Sequence, residues 1–307
     1  MVTGDAKPSM IWNDGHLISW DQATTHVLTH ALHYGSGVFE GIRAYGTDGG
    51  TAVFRMRDHF DRLLRSASAY QMPLQWSVDD LCIATKEVLG ANHLGQCYIR
   101  PIAFYELGAL GLDTSKANVR TVIAAWEWGA YLGDDGVRDG IKAGISRWRR
   151  FSPTSFPNAK ASGTYINSIL AKTEAVQAGY HEAIMLNDHG VVSEATGENL
   201  FTVHDGVVAT PPLSAGCLDG ITRDTVITLL RDAGYTVEQR ELRTEDLASA
   251  DEVFLTGTAA EVTPVREIDD RPVGDGTPGP VTRWTQQTYA DVVRGRSDEY
   301  RRWLDYV

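Results

Sequence analysis

The sequence predicts an α/β (α+β) protein of two domains, a small N-terminal α+β domain and a larger C-terminal mixed α/β domain. A chain of 307 residues is longer than a single hydrophobic core usually serves. The first part groups its predicted strands and helices, whereas the second part alternates them. The polar, glycine-rich stretch 132–140 has the composition of a linker. We therefore expect domains at 1–131 and 141–307.

Composition excludes several classes of function. Apolar residues make up 43% and charged residues 22% of the chain, as in ordinary globular proteins. The net charge of −12 argues against non-specific binding to nucleic acid or to anionic membranes. The polar N-terminus and the absence of an 18-residue apolar run predict a cytoplasmic protein without a membrane span. Three widely spaced cysteines, Cys82, Cys97 and Cys217, indicate neither a disulfide framework nor a zinc knuckle.

A hairpin opens the first domain, because Asn-Asp-Gly separates two apolar segments within residues 10–17. The other predicted elements of this domain are a strand at 41–45, a strand and helix at 51–72, a helix at 77–94, and strands at 96–105 and 119–131. Phe60, Leu63, Leu64 and Ala67 have the spacing of a buried helical face. Ser77 is a candidate N-cap for the second helix.

Three histidines, His26, His30 and His33, follow the hairpin at i, i+4 and i+7. This spacing could place three imidazoles on one helical face and hold zinc. Glycines at 35, 37 and 41 follow at once and instead favour a loop that feeds the strand at 41–45. We therefore predict no metal site.

The second domain alternates strands with helices. Its predicted elements are a strand at 141–151, a helix ending near 178, a strand at 182–188, two or three short strands within 191–212, a helix within 218–235, a strand, short helix and strand within 237–265, and a helix at about 282–293. Neither a GxGxxG nor a GxxxxGK loop occurs. The common nucleotide-binding motifs are therefore absent from the sequence.

Lys160 lies where turn residues meet a helical pattern beginning near Tyr165. Its small neighbours Ala159, Ala161 and Ser162 leave room for a flat group close to the backbone. A helix N-terminus disfavours a cation, so electrostatics would not choose this position for a structural lysine. An ordinary solvated lysine at a helix start would have the same local pattern. Residues elsewhere in the sequence are needed to distinguish it from a lysine that forms a Schiff base.

Five further positions could serve a phosphate-bearing cofactor. Gly220 and Thr222 precede a helix, whose free N–H groups bind anions. Thr258 offers a hydroxyl in a Gly-Thr-Ala-Ala turn, and Arg57 lies at a strand-to-helix junction. Glu194 is an acid in an apolar stretch and must be paired or functional. Helix caps, a surface charge and a structural salt bridge are the alternatives.

Four motifs together closely resemble the class IV (fold type IV) aminotransferases. They are Lys-Ala-Ser-Gly-Thr-Tyr at 160–165, Ser-Glu-Ala-Thr-Gly-Glu-Asn-Leu-Phe at 193–201, Gly-Ile-Thr-Arg-Asp at 220–224 and Gly-Thr-Ala-Ala-Glu-Val-Thr-Pro-Val at 257–265. The resemblance extends from about residue 11 to 303. Within the family the chain is most similar to the branched-chain amino acid aminotransferases.

The resemblance implies pyridoxal 5′-phosphate (PLP), bound to Lys160 as a Schiff base. Glu194 would keep the pyridine nitrogen protonated, and Tyr165 would bond the phenolic oxygen. The residues implied to hold the phosphate or line the ring are Arg57, Gly220, Ile221, Thr222, Thr258, Gly197 and Leu218. Lys160 would act as general base and then acid in a ping-pong cycle.

The implied substrates are leucine, isoleucine or valine together with 2-oxoglutarate, the chemistry of branched-chain amino acid biosynthesis. The residues implied to form the substrate pocket are Phe39, Trp128, Tyr131 and Tyr165 as apolar walls, Tyr34, Tyr98 and Arg100 as a polar corner, and Ala259 and Ala260 at the α-carboxylate. Loop 106–112 departs from the family pattern and would contribute to a neighbouring subunit's pocket. We therefore expect a homodimer or higher homo-oligomer with shared active sites.

Other functions on the same fold remain open at this stage. (R)-amine and D-amino acid transaminases carry other residues at positions 39–43 and 98–100, and aminodeoxychorismate lyase is a more distant alternative. A protein that binds PLP or a nucleotide without turnover is a different class. The presence of every implied catalytic position argues against that class.

Overall fold

The computed structural model describes residues 8–108, 110–129, 132–152 and 154–307. The chain forms two compact units. Unit 1 comprises Met1–Trp128, Ala159–Thr164 and Val292–Val307, and unit 2 comprises Gly129–Asn158 and Tyr165–Asp291. Each unit therefore combines separated stretches of sequence, and the domain boundaries at 131 and 141 stay a prediction.

The first half of the chain contains β1 (Met10–Asn13), β2 (His16–Ser19), α1 (His30–Tyr34), β3 (Gly37–Phe39), β4 (Ile42–Thr47), β5 (Gly50–Phe54), α2 (Met56–Ala69), α3 (Val78–Ala91), β6 (Cys97–Tyr105), β7 (Val119–Trp126), α4 (Asp134–Asp139) and β8 (Ile141–Ile145). The second half contains α5 (Tyr165–Gln177), β9 (Glu182–Leu186), β10 (Val192–Ala195), β11 (Asn199–His204), β12 (Val207–Thr210), α6 (Ile221–Asp232), β13 (Val237–Gln239), α7 (Thr244–Ala248), β14 (Glu252–Gly257), β15 (Glu261–Ile268), β16 (Arg271–Pro272), α8 (Pro280–Val293) and β17 (Leu304–Tyr306).

Unit 1 is built on an antiparallel sheet with the strand order β17-β5-β4-β6-β7-β1-β2, and β3 pairs with β6. Helices α2 and α3 pack against each other, and α3 also packs on β1 and β7. Their apolar faces share one core with the sheet, which includes Phe60, Leu63, Leu81, Val88 and Ile99. Burial of these side chains supplies the main stabilisation of the unit.

Several local predictions for unit 1 are confirmed. The hairpin β1–β2 turns at Asp14 and Gly15, which both have positive φ. On α2, Phe60, Leu63 and Ala67 are buried, as the helical spacing predicts. Ser77 caps α3, because its hydroxyl accepts a hydrogen bond from the Asp80 amide at 3.2 Å.

Unit 2 is built on a mixed sheet with the order β10-β9-β8-β15-β14-β11-β12-β13, and β16 pairs with β15. Strand β8 is parallel to both β9 and β15, and β12 is parallel to β13. Parallel neighbours need a crossover connection, which α5 supplies between β8 and β9 and α6 supplies between β12 and β13. This alternation explains the strand–helix pattern in the second half of the sequence.

The stretch predicted as a linker, residues 132–140, contains α4, which belongs to unit 2. The Gln286 side-chain amide donates to the Val137 carbonyl at 2.8 Å and to the Val262 carbonyl at 3.0 Å, and so ties α4 to β15. Within the described part of the chain, each helix is too short or too polar to cross a lipid bilayer.

Candidate active site

Lys160 does not lie at a helix N-terminus, which corrects the sequence-based prediction. A short 3-10 turn at Ser162–Thr164 separates it from α5, which begins at Tyr165. The Lys160 amide donates to the Ser66 hydroxyl at 3.1 Å, and its carbonyl accepts from the Phe39 amide at 3.0 Å. The backbone at Lys160 is therefore held by side-chain and strand pairing within unit 1, and the argument from a helix dipole does not apply.

Two backbone segments approach closely beside Lys160. A β-carbon added at Gly35 would lie 2.8 Å from the Gly163 Cα, so the two segments approach at backbone distance. The Lys160 side chain is half-buried, and its Nζ lies 4.9 Å from the centroid of the Phe39 ring. The amine therefore lies against an aromatic face.

A buried charged cluster on α2 lies beside Lys160 and was missed by the sequence reasoning. Arg62 donates to both oxygens of the Glu40 carboxylate, from Nε at 2.7 Å and from Nη2 at 2.8 Å. His59 Nδ1 lies 2.7 Å from Glu40 Oε2. His59, Arg62 and Ser66 recur at i, i+3 and i+7, a polar stripe that helical periodicity could have revealed.

The charges of this cluster are mutually compensated. Burial acts to raise the pKa of Glu40, but the charge of Arg62 and the hydrogen bonds from Arg62 and His59 prevail and hold it well below its usual range. Burial lowers the pKa of His59 against the opposing effect of Glu40, and the charge of Lys160 lowers it further. The cluster is therefore an anion with one cation and a neutral imidazole, close enough to Lys160 to be influenced by its charge.

Arg57 was predicted to hold a phosphate, but its geometry does not favour that role. Its side chain is 59% exposed and forms an ion pair with Asp79 at 2.5 Å. Arg57 lies on the outer face of α2, whereas Arg62 lies on the buried face. The strand-to-helix junction was visible in the sequence, but the direction of the side chain depends on the packing of α2 against the sheet.

Four predicted substrate residues gather in unit 1. Trp128 contacts Tyr98 edge-to-face with ring centroids 4.6 Å apart. The Arg100 guanidinium lies 4.9 Å from the Phe39 ring centroid and 5.5 Å from that of Tyr98. A β-carbon at Gly41 would lie 1.9 Å from the Tyr98 hydroxyl, so only glycine fits there. The four residues form an aromatic wall with one guanidinium.

Arg100 has an unused donor. Its Nε is buried and has no hydrogen-bond partner within the described residues. No carboxylate of the described chain forms an ion pair with it. A buried donor without a partner is costly, so this corner of unit 1 is suited to an anionic ligand.

The remaining substrate predictions are placed differently. Tyr34 is 48% exposed, and its hydroxyl donates to the Leu110 carbonyl at 3.0 Å, within loop 106–112. Tyr131 lies outside the described residues. The structure therefore ties Tyr34 to the loop and does not describe Tyr131.

The histidines weighed as a zinc site have separate partners. His30 contacts the Ser36 hydroxyl at 2.6 Å and the Gly111 carbonyl at 3.0 Å, and His33 contacts the Val27 carbonyl at 2.9 Å. The described residues contain no group of three side chains that could hold a metal ion.

In unit 2, Glu194 is a buried carboxylate fixed by three donors. Its Oε1 accepts from Arg150 Nη2 at 2.6 Å, and its Oε2 accepts from Asn199 Nδ2 at 3.1 Å and from the Leu218 amide at 3.0 Å. Burial of a charge is tolerated when it is paired and hydrogen-bonded in this way. Glu194 is thus held as an anion in one orientation. Arg150 and Asn199 are supporting residues to which the sequence reasoning gave no role.

The N-terminus of α6 lies near Glu194. Gly220 is the N-cap and has no side-chain capping bond, and Ile221 and Thr222 are buried at the first turn. A β-carbon at Gly220 would lie 1.9 Å from Asn199 Oδ1, so the helix start and the Glu194 hairpin are in direct contact. The donors of a helix N-terminus and a fixed carboxylate therefore occur side by side.

The other predicted cofactor residues of unit 2 have these placements. Thr258, Ala259 and Ala260 form the turn between β14 and β15, and Thr258 and Ala259 are half-buried. Gly197 lies at the tip of the β10–β11 turn, and Leu218 accepts a bond from Asn199 through its carbonyl at 2.9 Å. Tyr165 is half-buried at the first position of α5.

Comparison with known proteins assigns these features to a family. The chain is 46% identical to the Pseudomonas aeruginosa protein named branched-chain-amino-acid aminotransferase, over 98% of each chain. The crystal structure of the Escherichia coli branched-chain amino acid aminotransferase matches with a TM-score of 0.95 and 44% identity, over 97% of this chain and 99% of that chain. The Thermobaculum terrenum branched-chain amino acid aminotransferase in its PLP form matches with a TM-score of 0.91 and 36% identity, over 97% of this chain and 98% of that chain. A sequence profile described as amino-transferase class IV matches residues 37–268. The chain belongs to the class IV aminotransferase family and has the fold type IV architecture.

Proposed function

We propose that this enzyme transfers the amino group between leucine, isoleucine or valine and 2-oxoglutarate with PLP as cofactor. The observation that carries the proposal is the whole-length similarity to enzymes named for this activity. The placement of Lys160, Glu194 and Arg100 supports it, because each has the environment that its proposed role needs. Small-molecule amino acids and 2-oxo acids are then the partners of the site.

The residues of unit 2 fit a phosphorylated pyridine. The α6 N-terminus at Ile221 and Thr222 is suited to a phosphate. The residue before them is Gly220, where neighbouring atoms leave no room for a side chain. Thr258 supplies a further hydroxyl. The anionic Glu194 is suited to a protonated ring nitrogen, next to which Gly197 and Leu218 would lie. When bound, PLP supplies an electron sink for the charge that develops on the substrate α-carbon.

Three side chains of the protein would have separate roles in the reaction. Nζ of Lys160 would take the proton from the substrate α-carbon as general base and, as general acid, would deliver it to the cofactor instead of back to that carbon. Glu194, fixed by Arg150, keeps a negative charge beside the ring nitrogen. Tyr165 would donate to the ring's phenolic oxygen.

An arginine of α2 is proposed to assist in holding the phosphate. We assign this role to Arg62 rather than Arg57, because Arg62 is buried beside the Lys160 segment whereas Arg57 is exposed on the outer face of α2. Arg62 lies next to His59, which senses the charge of Lys160. Its guanidinium is therefore in the neighbourhood that the cofactor must occupy.

Substrate recognition is proposed to use one pocket for two kinds of side chain. Phe39, Trp128 and Tyr165 would contact the aliphatic group of leucine, isoleucine or valine. Arg100, which packs beside Tyr98, would pair with the γ-carboxylate of glutamate. Ala259 and Ala260 would offer turn amides to the α-carboxylate. Tyr34 is proposed for the polar corner of the pocket and Tyr131 for its apolar wall.

We also propose that the enzyme is a homodimer or higher homo-oligomer. Helix α5 exposes one apolar face made of Ile166, Ile169, Leu170 and Val176. Contiguous exposed apolar side chains are typical of subunit interfaces. Loop 106–112 would then contribute to the neighbouring subunit's pocket.

Replacement of Lys160 tests the function directly. We expect that borohydride reduction of the wild-type enzyme fixes the cofactor covalently and that peptide mass spectrometry locates it on Lys160. In Lys160→Ala, both the trapping at this position and turnover of leucine with 2-oxoglutarate should be lost, because no amine remains to take the α-proton. Lys142→Ala, at a lysine that pairs with Glu267, is the matched control and should retain both. Trapped cofactor on another lysine would contradict the assignment.

A further inference from the structure

Three carboxyl side chains are buried together in unit 2. Glu182 on β9 is 0% exposed, Glu194 on β10 is 5% exposed, and Glu198 at the end of the β10–β11 turn is 4% exposed. We call these three residues the carboxyl cluster. A buried carboxylate needs a compensating charge or hydrogen bonds, so the partners of each member decide its state.

Two cations serve the carboxyl cluster, and each is taken by a different member. Lys172 Nζ lies 2.5 Å from Glu182 Oε2, and Arg150 Nη2 lies 2.6 Å from Glu194 Oε1. Glu198 forms no ion pair with any residue that the structure describes. It accepts a bond from the Gly197 amide at 3.2 Å. Among the described residues, three carboxyls thus share two cations, and Glu198 is the member without an ion pair.

Burial and the two neighbouring carboxylates act on the pKa of Glu198 in the same direction. Burial raises the pKa of Glu198 well above its usual value, and the negative charge of Glu182 raises it further. Lys172 and the Gly197 amide act to lower it, and Glu194 adds a smaller rise. The neighbouring carboxylates therefore outweigh the single lysine.

The carboxyl cluster surrounds the hairpin that carries Glu194. The Ala195 amide donates to the Glu198 carbonyl at 2.8 Å and closes the β10–β11 turn. Glu182 Oε1 accepts from the Thr196 hydroxyl at 2.5 Å and from the Thr196 amide at 3.4 Å. Glu182 therefore anchors the tip of the hairpin, while Asn199 fixes Glu194 on its other side.

We propose that Glu182 and Glu198 are positioning residues for Glu194, with Glu182 as the anion that anchors the hairpin tip and Glu198 as a neutral carboxylic acid. Because Glu198 is neutral, Lys172 pairs with Glu182 and Arg150 pairs with Glu194. The inference depends on the proposed function only for the role of Glu194 at the cofactor.

Matched Glu→Gln variants separate the two roles. Glutamine resembles a neutral acid, so Glu198→Gln should not lower the urea-unfolding midpoint at pH 7, whereas Glu182→Gln should lower it because an amide cannot pair with Lys172. The pKa of Glu198 is higher in the folded protein than in the unfolded chain. The free energy of unfolding of the wild type should therefore fall as pH rises from the unfolded-state pKa of Glu198 towards its folded-state pKa. Glutamine does not titrate, so Glu198→Gln lacks this pH dependence. The unfolding equilibrium constant of the wild type, divided by that of Glu198→Gln, should rise by up to about tenfold per pH unit in that range.

Two further measurements distinguish positioning from general stabilisation. The infrared band of a protonated carboxyl should be present in the wild type at pH 7 and absent in Glu198→Gln. In single-turnover experiments with saturating leucine, Glu182→Gln should slow the half-reaction by about tenfold or more, because the hairpin no longer holds Glu194 in place. Glu194→Gln should be slower still and unfold at a similar midpoint to Glu182→Gln or above it.

Several outcomes would overturn the proposal. A pH-independent stability difference, or the absence of the infrared band from the wild type, would show that Glu198 is ionised. Retention of the band in Glu198→Gln would show that another carboxyl carries the proton. A destabilised Glu182→Gln with an unchanged half-reaction rate would make Glu182 merely structural. The unfolding and infrared measurements need no turnover. Their outcome is therefore independent of the Lys160→Ala test of the proposed function.

Discussion

At the scale of single residues, two buried carboxylates of the candidate site have an arginine partner, whereas the half-buried Arg100 forms no ion pair with a described residue. Glu40 pairs with Arg62, and Glu194 pairs with Arg150. Arg100 packs on two aromatic rings and leaves its Nε without a partner among the described residues. This unused donor supports the proposal that Arg100 binds an anionic ligand.

The first prediction concerns Arg100. Arg100→Leu should lower kcat/KM for 2-oxoglutarate or glutamate, because it removes a charged hydrogen bond to the γ-carboxylate. The fall should correspond to a loss of about 2–3 kcal/mol in transition-state stabilisation. The leucine half-reaction should fall by much less, since its side chain offers no anion. Both are measured as isolated half-reactions in single turnovers, because a damaged acceptor step also depresses steady-state rates in a ping-pong cycle.

A control arginine is available in the same sheet. Arg120 on β7 packs on the Phe104 ring and pairs with Glu106, so Arg120→Leu should not discriminate between the two substrates. Equal losses for both substrates in Arg100→Leu would mean that Arg100 supports the shape of the pocket or binds the α-carboxylate.

The second prediction concerns the buried pair Glu40–Arg62. Glu40→Gln should lower the free energy of unfolding by about 3–5 kcal/mol, because it leaves Arg62 with an uncompensated buried charge. Because the folded-state pKa of Glu40 is depressed, its stabilising contribution is present above the unfolded pKa of about 4.3 and is lost as pH falls. Urea unfolding from neutral to acid pH should therefore show the two proteins converging.

The matched control is the exposed pair Arg57–Asp79. Asp79→Asn breaks an ion pair of similar length that lies in solvent, and its unfolding midpoint should be unchanged. A similar loss in both variants would mean that burial does not govern the energy of these pairs.

At the scale of elements, helix starts and hairpin turns bring the candidate site residues together. The β10–β11 hairpin carries Glu194, and the first turn of α6 lies against Asn199 of the same hairpin. Backbone proximity of this kind needs a residue without a side chain at the contact. Gly220 therefore connects the two elements.

The third prediction concerns Gly220. In Gly220→Ala the added β-carbon would lie 1.9 Å from Asn199 Oδ1, so Asn199 must move and lose its bonds to Glu194 and Leu218. We expect a loss of about 1–3 kcal/mol in the free energy of unfolding and weaker binding of PLP, measured by urea unfolding and by equilibrium titration. The backbone conformation at Gly220 is extended, so strain in φ does not contribute.

Gly90 on α3 serves as the comparison. A β-carbon there meets no atom within 4 Å, and alanine is the better helix former, so Gly90→Ala should gain up to about 1 kcal/mol. If Gly220→Ala behaved like Gly90→Ala, the proposed contact between the hairpin and α6 would be unimportant.

At the scale of the whole molecule, exposed apolar surface is concentrated in particular segments. On α5, Ile166, Ile169, Leu170 and Val176 lie on one face, and the helix buries only small residues on the other. Isolated exposed apolar residues are normal, whereas a continuous face calls for a partner. A second copy of this chain is the proposed partner.

The fourth prediction follows from that face. Ile169→Glu should lower the molar mass measured by light scattering or sedimentation, because a carboxylate would be buried in the subunit interface. Ile83→Glu on α3 replaces an equally exposed isoleucine outside the proposed interface and should leave the mass unchanged. An unchanged mass in Ile169→Glu would exclude this face from the interface.

The sequence by itself determined the parts of this protein that depend on short-range chemistry. The Asn-Asp-Gly turn of the first hairpin, the Ser77 cap and the buried stripe of Phe60, Leu63 and Ala67 all follow from local propensity and periodicity. The order of the four motifs, from Lys160 onwards, was sufficient to indicate the family. These features need only a few neighbouring residues to be read.

Only the tertiary structure decided the parts that depend on which distant segments meet. Lys160 was expected at a helix start, but the chain first pairs with β3, a segment about 120 residues earlier. Arg57 was the arginine expected from the sequence, whereas the packing of α2 determined that Arg62 is the one that is buried and paired with Glu40. Burial and ion pairing are long-range properties, since they are set by the elements that cover a side chain rather than by its neighbours in the chain.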